Sequence, residues 1–450
     1  MNYNQDNPIW KFREQLLKAT ISWCMEKSSF YKKHFGKAGI HFRGLEDLHT
    51  LPILFRDMLD GQEEQFCCEK VQPSCIQYTS GTTGKFITLF RSPSEIAFIN
   101  NFFNERVQQL VNDKNSKRPL WLSLISAYHG SPTPVPGWPY IVSAGVYDLT
   151  QVRQAARMLL RTYDFPGVEP QVTCLVGGDI LIKAFTAYLI AEKVDIANLP
   201  VRLLVLTGGY LSTVRKRLLG ELWGAQVQDR WSMSEVFGGA SQCGMGGPFI
   251  FDIHAVPEVV HPKTLQPIDH GVGTLVMTGL YPFMQMMPMV RYYTGDLVEI
   301  TASPLRGDTE LLVNFVGRER RSILDTSGPE VQPLLLSGPL YDIVESFADI
   351  GSSTRFDDLT NSANLEFAGR LHYSVESELV EDGSKGSITI TLGLRYPPWL
   401  HSARVLEVQT QFRSKLYERF PAIKAKVLDG SVQLKIQTEH MDEVPLYNAK

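Results

Sequence analysis

Short apolar runs, each followed by a stretch with helical spacing, recur through the middle of the chain. The runs at 120–125, 172–176 and 203–207 have the length of buried strands. The paired glycines Gly177-Gly178 and Gly208-Gly209 separate the last two runs from the helical stretches that follow. Strand, glycine turn and helix in this order predict an α/β sheet, and such sheets bind ligands at the carboxyl ends of their strands.

The flanking parts of the chain have different patterns. Apolar residues near helical spacing predict one helix over 9–35, and a second helix is predicted over 94–111. From 249 to 300 the pattern changes to strands separated by proline and glycine, which predicts a β-rich part. The segment 351–363 is polar and is predicted to be a loop.

The last part of the chain alternates between apolar and polar residues again. Strands are predicted at 371–375 and 387–394, a helix at 403–420 and another strand at 431–437. This ββαβ order predicts a small α+β domain that follows the α/β and β-rich parts.

Composition narrows the class of protein. The 450 residues are too many for one ordinary core and predict two or three domains. An apolar fraction of 44% and a charged fraction of 20% are typical of a globular protein. A net charge of −4 gives no electrostatic basis for binding nucleic acid, and no apolar run has transmembrane length.

The cysteines and the N-terminus indicate the compartment. Six cysteines in so long a chain do not form a disulfide framework. The N-terminal residues lack the apolar core of a signal peptide. We therefore expect a cytoplasmic enzyme with reduced thiols.

A loop rich in glycine and hydroxyl groups follows the apolar residues 76–78. It consists of Thr79, Ser80, Gly81, Thr82, Thr83, Gly84 and Lys85. Backbone N–H groups at the glycines, the hydroxyls and the lysine charge can surround a polyphosphate. Because only two residues separate Gly81 from Gly84, where a P-loop has four, a P-loop kinase or GTPase is a poor fit. Taken alone, the loop could equally be a surface turn.

Five further motifs follow this loop in order. They are Thr207-Gly208-Gly209-Tyr210, Asp229-Arg230-Trp231-Ser232-Met233-Ser234-Glu235, Arg291-Tyr292-Tyr293-Thr294-Gly295-Asp296, Gly317-Arg318 and Pro445-Leu446-Tyr447-Asn448-Ala449-Lys450. Together the six motifs resemble the adenylate-forming superfamily of acyl-CoA synthetases, adenylation domains and luciferases. The run 247–296 is most similar to the phenylacetate–CoA ligase family. The resemblance extends from about residue 53 to residue 450.

The resemblance implies a fold and a reaction. The fold would be a large N-terminal adenylate-forming domain, residues 1–318, with α/β sheets and a β-rich part, followed by a small mobile α+β domain, residues 319–450. ATP would convert a carboxylate to an acyl-adenylate and pyrophosphate, and a thiol would then displace AMP. Because the carboxylate and the α-phosphate are both anionic, the site must neutralise charge before they meet.

The resemblance also assigns groups to the phosphates. The loop from Thr79 to Lys85 would hold the β- and γ-phosphates, and Glu235 would help to place Mg²⁺, which prefers oxygen ligands. Lys450 would contact the carboxylate and the α-phosphate in the first step, then leave as the small domain rotates. On residue type alone, Glu235 could be a surface carboxylate and Lys450 a frayed terminal lysine.

The nucleoside would lie against the next motifs. Trp231 would stack on adenine, and Asp296 would accept hydrogen bonds from the two ribose hydroxyls, since a carboxylate has two acceptor oxygens. Arg318 would reach the ribose or the phosphate. The remaining residues assigned to the ATP site are Gly208, Gly209, Tyr210, Asp229, Arg230, Ser232, Met233 and Ser234.

The acyl pocket has the weakest sequence signal. Its candidates are Tyr128, His129, Gly177, Gly178, Phe237 and Gly238. Aromatic and glycine residues suit a flat aryl acid, although the same residues could pack in a core.

Three positions depart from the family pattern. Tyr210 stands where the family usually has an acidic residue, and Ser232 replaces a common glycine. The hinge segment, which normally carries acidic residues, is Glu319-Arg320-Arg321 in this chain. These arginines could allow hinge motion by pairing with carboxylates, or could hold one domain orientation.

We therefore expect ATP- and Mg²⁺-dependent activation of a carboxylic acid, aryl or arylacetic, and transfer to coenzyme A. One alternative acceptor is an acyl carrier protein or an amine, and another class is a degenerate nucleotide-binding member without turnover. The expected partners are the small-molecule acid and the acceptor, with no nucleic acid or membrane, and a homodimer is possible. A structural zinc site near Cys243, His254 and His261 is an alternative without paired ligand spacing.

Overall fold

The computed structural model describes residues 7–37, 42–78, 87–98, 117–124, 140–143, 149–304, 310–352, 370–378 and 386–445. The helices are α1 (Pro8–Lys27), α2 (Ser29–Lys37), α3 (Glu63–Phe66), α4 (described over 93–98), α5 (Leu149–Leu160), α6 (Asp179–Ala191), α7 (Thr213–Trp223), α8 (Ser337–Glu345), α9 (Ser402–Arg419) and α10 (Pro421–Leu428).

The strands belong to four sheets. They are β1 (Cys75–Tyr78), β2 (Thr88–Arg91), β3 (Arg118–Leu124), β4 (Tyr140–Ser143), β5 (Val168–Gly178), β6 (Leu203–Thr207), β7 (Gln226–Trp231), β8 (Ala240–Gln242), β9 (Phe249–Phe251), β10 (Ala255–Val260), β11 (Gly271–Gly279), β12 (Tyr292–Ala302), β13 (Leu312–Arg318), β14 (Ile323–Asp325), β15 (Gln332–Leu335), β16 (Tyr373–Glu378), β17 (Gly386–Leu394) and β18 (Val432–His440).

One sheet of eleven strands contains both predicted patterns. Its order is β10-β11-β12-β13-β9-β8-β7-β6-β5-β3-β4. Strands β4, β3, β5, β6 and β7 are parallel, whereas every pairing from β7 to β10 is antiparallel. The α/β and β-rich parts are therefore two halves of one mixed sheet.

Helices cover the parallel half because its strands are apolar on both faces. Leu175 and Leu204 are fully buried with Phe185 of α6 and Trp223 of α7. At the far end of the sheet, a separate core joins α1 to β10, where Leu17 of α1 is buried. The first of these cores holds α6 and α7 against the parallel strands whose carboxyl ends carry the predicted glycine turns.

Of the other three sheets, the antiparallel pair β1 and β2 precedes the large sheet in the chain, and the other two lie after Arg318. Strands β14 and β15 form a hairpin, and β16, β17 and β18 form a three-stranded sheet in which β17 and β18 are parallel. Helix α8 contacts β13 and shares a core with Val272, Leu297 and Val316 of the large sheet. The C-terminal part is thus packed directly against the strands that carry Asp296 and Arg318.

The predicted fold class, a large α/β part with β-rich strands and a smaller α+β part, is confirmed. The single helix predicted over 9–35 is wrong, because Ser28 is extended (φ −105°, ψ 122°) and divides it into α1 and α2. The C-terminal pattern missed α10, which begins at Pro421, a residue favoured in a first helical turn. Residues 99–111 of the helix predicted over 94–111, and most of the loop predicted at 351–363, lie outside the described residues.

None of the helices in these described ranges combines the length and the apolar character needed to cross a membrane.

Candidate active site

The strand register brings three of the predicted motifs to one edge of the sheet. Gly178 at the end of β5 pairs with Thr207 at the end of β6, and Thr207 pairs with Arg230 next to the end of β7. The carboxyl ends of these parallel strands therefore meet, as the glycine turns predict. Gly208 has a φ of +96°, so the turn after β6 uses a backbone conformation that favours glycine.

Trp231 and Asp296, assigned to adenine and ribose, are in direct contact. The indole Nε1 of Trp231 donates a hydrogen bond to Asp296 Oδ2 over 3.2 Å. Phe315 stacks on the Trp231 ring, with centroids 5.0 Å apart and an interplanar angle of 18°. Because Phe315 covers one indole face and Trp231 is only half-buried, a flat heterocycle could stack on the opposite face.

Arg318 completes this group from the neighbouring strand. The Cα atoms of Asp296 and Arg318 are partners in the β12–β13 register, and Arg318 Nε lies 3.0 Å from Asp296 Oδ1. Burial raises the pKa of Asp296, while Arg318 and the Trp231 N–H act in the opposite direction. The two carboxylate oxygens hold one donor each, and lone pairs remain for a vicinal diol.

Glu235, the candidate Mg²⁺ ligand, lies among other polar groups at this edge. Its Oε1 is 3.4 Å from Arg56 Nη1 and accepts a hydrogen bond from the Tyr292 hydroxyl over 3.3 Å. The buried Arg91 donates to the carbonyl oxygens of Ser234 and Glu235 over 2.6 and 3.2 Å, which fixes the backbone there.

A lone carboxylate suits Mg²⁺ better than it suits zinc. Mg²⁺ is commonly held by one or two carboxylates together with substrate phosphates, so Glu235 fits that ion as a single protein ligand. Across the described parts of the chain, no cluster of three or more His, Cys, Asp or Glu residues could hold a metal by itself. The alternative zinc site near Cys243, His254 and His261 thus has no assembled ligand set in these residues.

Asp229 and Arg230 precede Trp231 and have ion-pair partners within the protein. Asp229 Oδ2 is 2.6 Å from Lys216 Nζ of α7, and Arg230 Nη2 is 2.6 Å from Asp252 Oδ2. Burial raises the pKa of Asp229, and Lys216 opposes that shift. These pairs account for both side chains without a ligand, so a role of either residue toward ATP stays a prediction.

The residues after Trp231 have mixed environments. The Ser232 hydroxyl is 3.0 Å from the Thr207 hydroxyl, which links the ends of β7 and β6. Met233 packs against the core beneath the antiparallel strands. Ser232 is exposed, Met233 and Ser234 are half-buried, and the assignment of all three to the ATP site stays a prediction.

Gly208 and Gly209 are exposed, whereas Tyr210 is covered by α8. The Tyr210 hydroxyl donates to Asp342 Oδ2 over 2.7 Å. Burial and Asp342 raise the pKa of Tyr210 well above its ordinary value. The position where the family usually has an acid thus contacts an acid from α8, which no local sequence pattern indicated.

The described acyl-pocket candidates occupy two places. A Cβ at Gly177 would lie 2.9 Å from the Leu124 carbonyl oxygen, so glycine permits the close approach of β5 to β3, and Gly178 follows it at the strand end. Phe237 lies beside His254 with ring centroids 5.2 Å apart, and Gly238 has a φ of +112°.

His254 is buried next to this aromatic group. Its ring also packs edge-on against Phe283 with centroids 4.3 Å apart. Burial lowers the pKa of His254 to about 4, so the imidazole is neutral at pH 7. Phe237 is therefore supported by an uncharged neighbour.

Several predicted residues lie outside the described residues, and their assignments stay predictions. They are Thr79, Ser80, Gly81, Thr82, Thr83, Gly84, Lys85, Tyr128, His129 and Lys450.

The sequence interpretation missed Arg56, Arg91, Tyr292 and Asp342. Tyr292 lies within the motif that ends at Asp296, so its position offered a signal. Arg56 and Asp342 come from segments without a chemical motif, and only the fold brings them to Glu235 and Tyr210.

Known proteins resemble this chain in sequence and in fold. No family model matches the chain. The phenylacetate–coenzyme A ligase of Thermus thermophilus is 26% identical over 361 residues, which cover 74% of this chain and 75% of that protein. The phenylacetate–coenzyme A ligase of Escherichia coli K12 is 26% identical over 405 residues, which cover 84% and 83%.

A similar solved structure is an open conformation of 2-hydroxyisobutyryl-CoA ligase in complex with 2-HIB-AMP and CoA. Its TM-score is 0.67 at 14% identity, and the alignment covers 98% of this chain and 90% of that one. The chain therefore has the fold of that CoA ligase, in line with the fold that the resemblance to adenylate-forming enzymes implies. The sequence relatives are named as phenylacetate–coenzyme A ligases, so the predicted resemblance to that family is confirmed.

Proposed function

We propose that this chain is an ATP-dependent acid–thiol ligase. It converts a carboxylic acid to an acyl-adenylate with release of pyrophosphate, then transfers the acyl group to coenzyme A with release of AMP. The observation that carries the proposal is the contact of Trp231, Asp296 and Arg318 beside the exposed Gly208-Gly209 turn. Relatives named as phenylacetate–coenzyme A ligases support the same reaction.

The described residues have distinct tasks in this reaction. Trp231 orients the adenine, and Asp296 receives the ribose hydroxyls while Arg318 balances its charge. Glu235 would hold Mg²⁺ together with phosphate oxygens, and the ion would supply neutralisation of the polyphosphate charge. Arg56, which faces Glu235, adds a cation at the place where anionic groups would gather.

The finer assignments are part of the proposal. We infer an aryl or arylacetic acid, supported by the aromatic group that Phe237 forms with His254 and Phe283 and by the relatives' names. We place the domain boundary after Arg318, where the large sheet ends and the hairpin β14–β15 begins. Six unpaired cysteines support a cytoplasmic location.

The test is ATP–pyrophosphate exchange with a panel of aryl, arylacetic and aliphatic acids, with and without Mg²⁺. We expect exchange that depends on the acid and on Mg²⁺, followed by AMP release when coenzyme A is added. Adenylation that persists without use of coenzyme A would favour a carrier-protein thiol or an amine as acceptor. Nucleotide binding with no exchange for any acid would contradict the proposal and favour a non-catalytic member.

A further inference from the structure

Helix α8 is attached to the predicted nucleotide loop by hydrogen bonds that one of its carboxylates accepts. Asp342 Oδ2 accepts from the Tyr210 hydroxyl over 2.7 Å, and Asp342 Oδ1 accepts from the Thr213 backbone N–H over 3.0 Å. Asp342 therefore binds both the end of the loop and the first residue of α7.

The contact is also closely packed. A Cβ at Gly338 would lie 2.5 Å from the Tyr210 ring, so α8 can approach the ring only with glycine at this position.

A buried ionic cluster extends this contact. Arg215 of α7 donates to Glu345 Oε1 through Nη2 over 2.8 Å and through Nε over 3.1 Å, and to the Tyr341 hydroxyl over 2.5 Å. Arg215 also pairs with Asp179, and the Ser212 hydroxyl donates to Glu345. Lys183 Nζ lies 3.7 Å from Glu345 Oε1. We call these residues, Asp179, Lys183, Ser212, Arg215, Tyr341 and Glu345, the Arg215 cluster.

The charges in the Arg215 cluster balance only when α8 is in place. Asp179, Lys183 and Arg215 belong to the large sheet and its helices, and Glu345 belongs to α8. Although burial raises the pKa of Glu345, Arg215 and Lys183 outweigh it and lower that pKa. Without Glu345, the buried Arg215 and the half-buried Lys183 would face one carboxylate, so departure of α8 carries an electrostatic cost.

Asp179 connects the cluster to the glycine turn. It follows Gly178 at the end of β5, and a Cβ at Gly209 would lie 3.4 Å from Asp179 Oδ1. The backbone of Gly209 thus rests on a carboxylate whose ionic partner, Arg215, also holds α8.

We propose that Arg215 is a positioning residue that couples the conformation of the Gly208–Tyr210 turn to the attachment of α8. An ordered turn keeps Asp179 and Arg215 in place to bind Glu345, and attached α8 in return fixes Tyr210 through Asp342. Nucleotide at the turn and the attached orientation of the C-terminal part therefore stabilise each other. The nucleotide half of this inference rests on the proposed function, whereas the coupling of turn and helix does not.

The first test needs no ligand. Hydrogen exchange followed by mass spectrometry compares the wild type with Glu345→Gln, which removes the charge and keeps the volume. We expect exchange about ten-fold faster both in 337–345 and in 208–213, because the two segments share the cluster. Faster exchange in 337–345 alone would overturn the coupling. Glu418→Gln, at an exposed position on α9, is the matched control and leaves both segments unchanged.

The second test adds ATP with Mg²⁺ to the same variants. In the wild type we expect nucleotide to slow exchange in 337–345, and in Glu345→Gln we expect little slowing and a roughly ten-fold weaker ATP affinity by calorimetry. The nucleotide half of the inference would be overturned if Glu345→Gln bound ATP as tightly as the wild type and if ATP slowed exchange in 337–345 equally in both proteins. Absence of ATP binding to the wild type would contradict that half and the proposed function, while the ligand-free test still decides the coupling.

A milder variant covers the case in which Glu345→Gln does not fold. Tyr341→Phe removes only the hydroxyl that accepts a hydrogen bond from Arg215. We expect hydrogen exchange to become faster in both 337–345 and 208–213, but by a smaller factor than in Glu345→Gln. Arg215→Lys, which keeps the charge but loses the forked donors, should restore only part of the coupling relative to Arg215→Gln. Equal exchange in the lysine and glutamine variants would contradict a role of Arg215 charge in the coupling.

Discussion

The Asp296–Arg318 pair and the Arg215 cluster are both built from carboxylates and a guanidinium, yet their surroundings differ. The Arg318 side chain is 38% exposed, and Asp296 makes one bond to it and one to Trp231. The Arg215 side chain is 3% exposed and is bound by Asp179, Tyr341 and Glu345. The first arrangement leaves acceptor sites for a ligand, whereas the second uses its donors within the protein.

This difference separates binding from positioning. In a partly exposed ion pair, one group can exchange its partner for a substrate hydroxyl at a small cost in free energy. The partner that is released can form hydrogen bonds with water instead. A buried cluster cannot lose a member without leaving a charge unpaired in a medium of low polarity. Substitutions should therefore reduce ligand affinity at Asp296 and reduce stability at Arg215.

The largest expected effect is the loss of stability in Arg215→Met. Removal of the guanidinium leaves Asp179 and Glu345 buried without their main partner, and we expect a loss of about 3–5 kcal/mol in the free energy of unfolding. Urea denaturation followed by circular dichroism measures it. Lys18→Met removes an exposed charge on α1 and should change stability by less than about 0.5 kcal/mol. A loss below about 1 kcal/mol for Arg215→Met would remove the contrast between the two sites.

The next effect is on nucleotide affinity in Asp296→Asn. The variant keeps the shape but weakens the acceptors for the ribose hydroxyls, so we expect ATP to bind about ten- to a hundred-fold more weakly. Stability should change by less than about 1 kcal/mol, because Arg318 stays accessible to water. Calorimetric titration with ATP measures the affinity. The control, Asp195→Asn, changes an exposed carboxylate in the segment before β6, and equal affinities in the two variants would contradict the ribose assignment.

The smallest expected effect is on the pH dependence of stability, and it tests whether His254 is buried as a neutral imidazole. His254 has a folded-state pKa of about 4, below the ordinary value of 6.5, so the unfolded chain binds the proton more readily. Stability therefore falls as pH decreases from about 6.5 toward 4, and this group contributes a loss of about 2 kcal/mol between pH 7 and pH 5. Urea melts at both pH values should show a smaller loss in His254→Gln. An identical loss in both proteins would show that the imidazole is not held neutral.

Local patterns predicted the elements around the site well. The strand predicted at 203–207 is β6 as observed, and the apolar run at 172–176 lies within the longer β5. The failure at 9–35 has a local cause, because Ser28 interrupts a pattern that is apolar on both sides of it. Helical periodicity reports which face is buried but not where one helix ends and the next begins.

The sequence alone determined the order of motifs, the glycine turns at strand ends and the resemblance to adenylate-forming enzymes, because these depend on residues adjacent in the chain. Only the tertiary structure decided that Arg56 faces Glu235, that Trp231 donates to Asp296 and that Asp342 contacts Tyr210. Each of those contacts joins residues 65 to 179 positions apart. They exist because sheet register and core packing bring distant segments together, and no local periodicity encodes that approach.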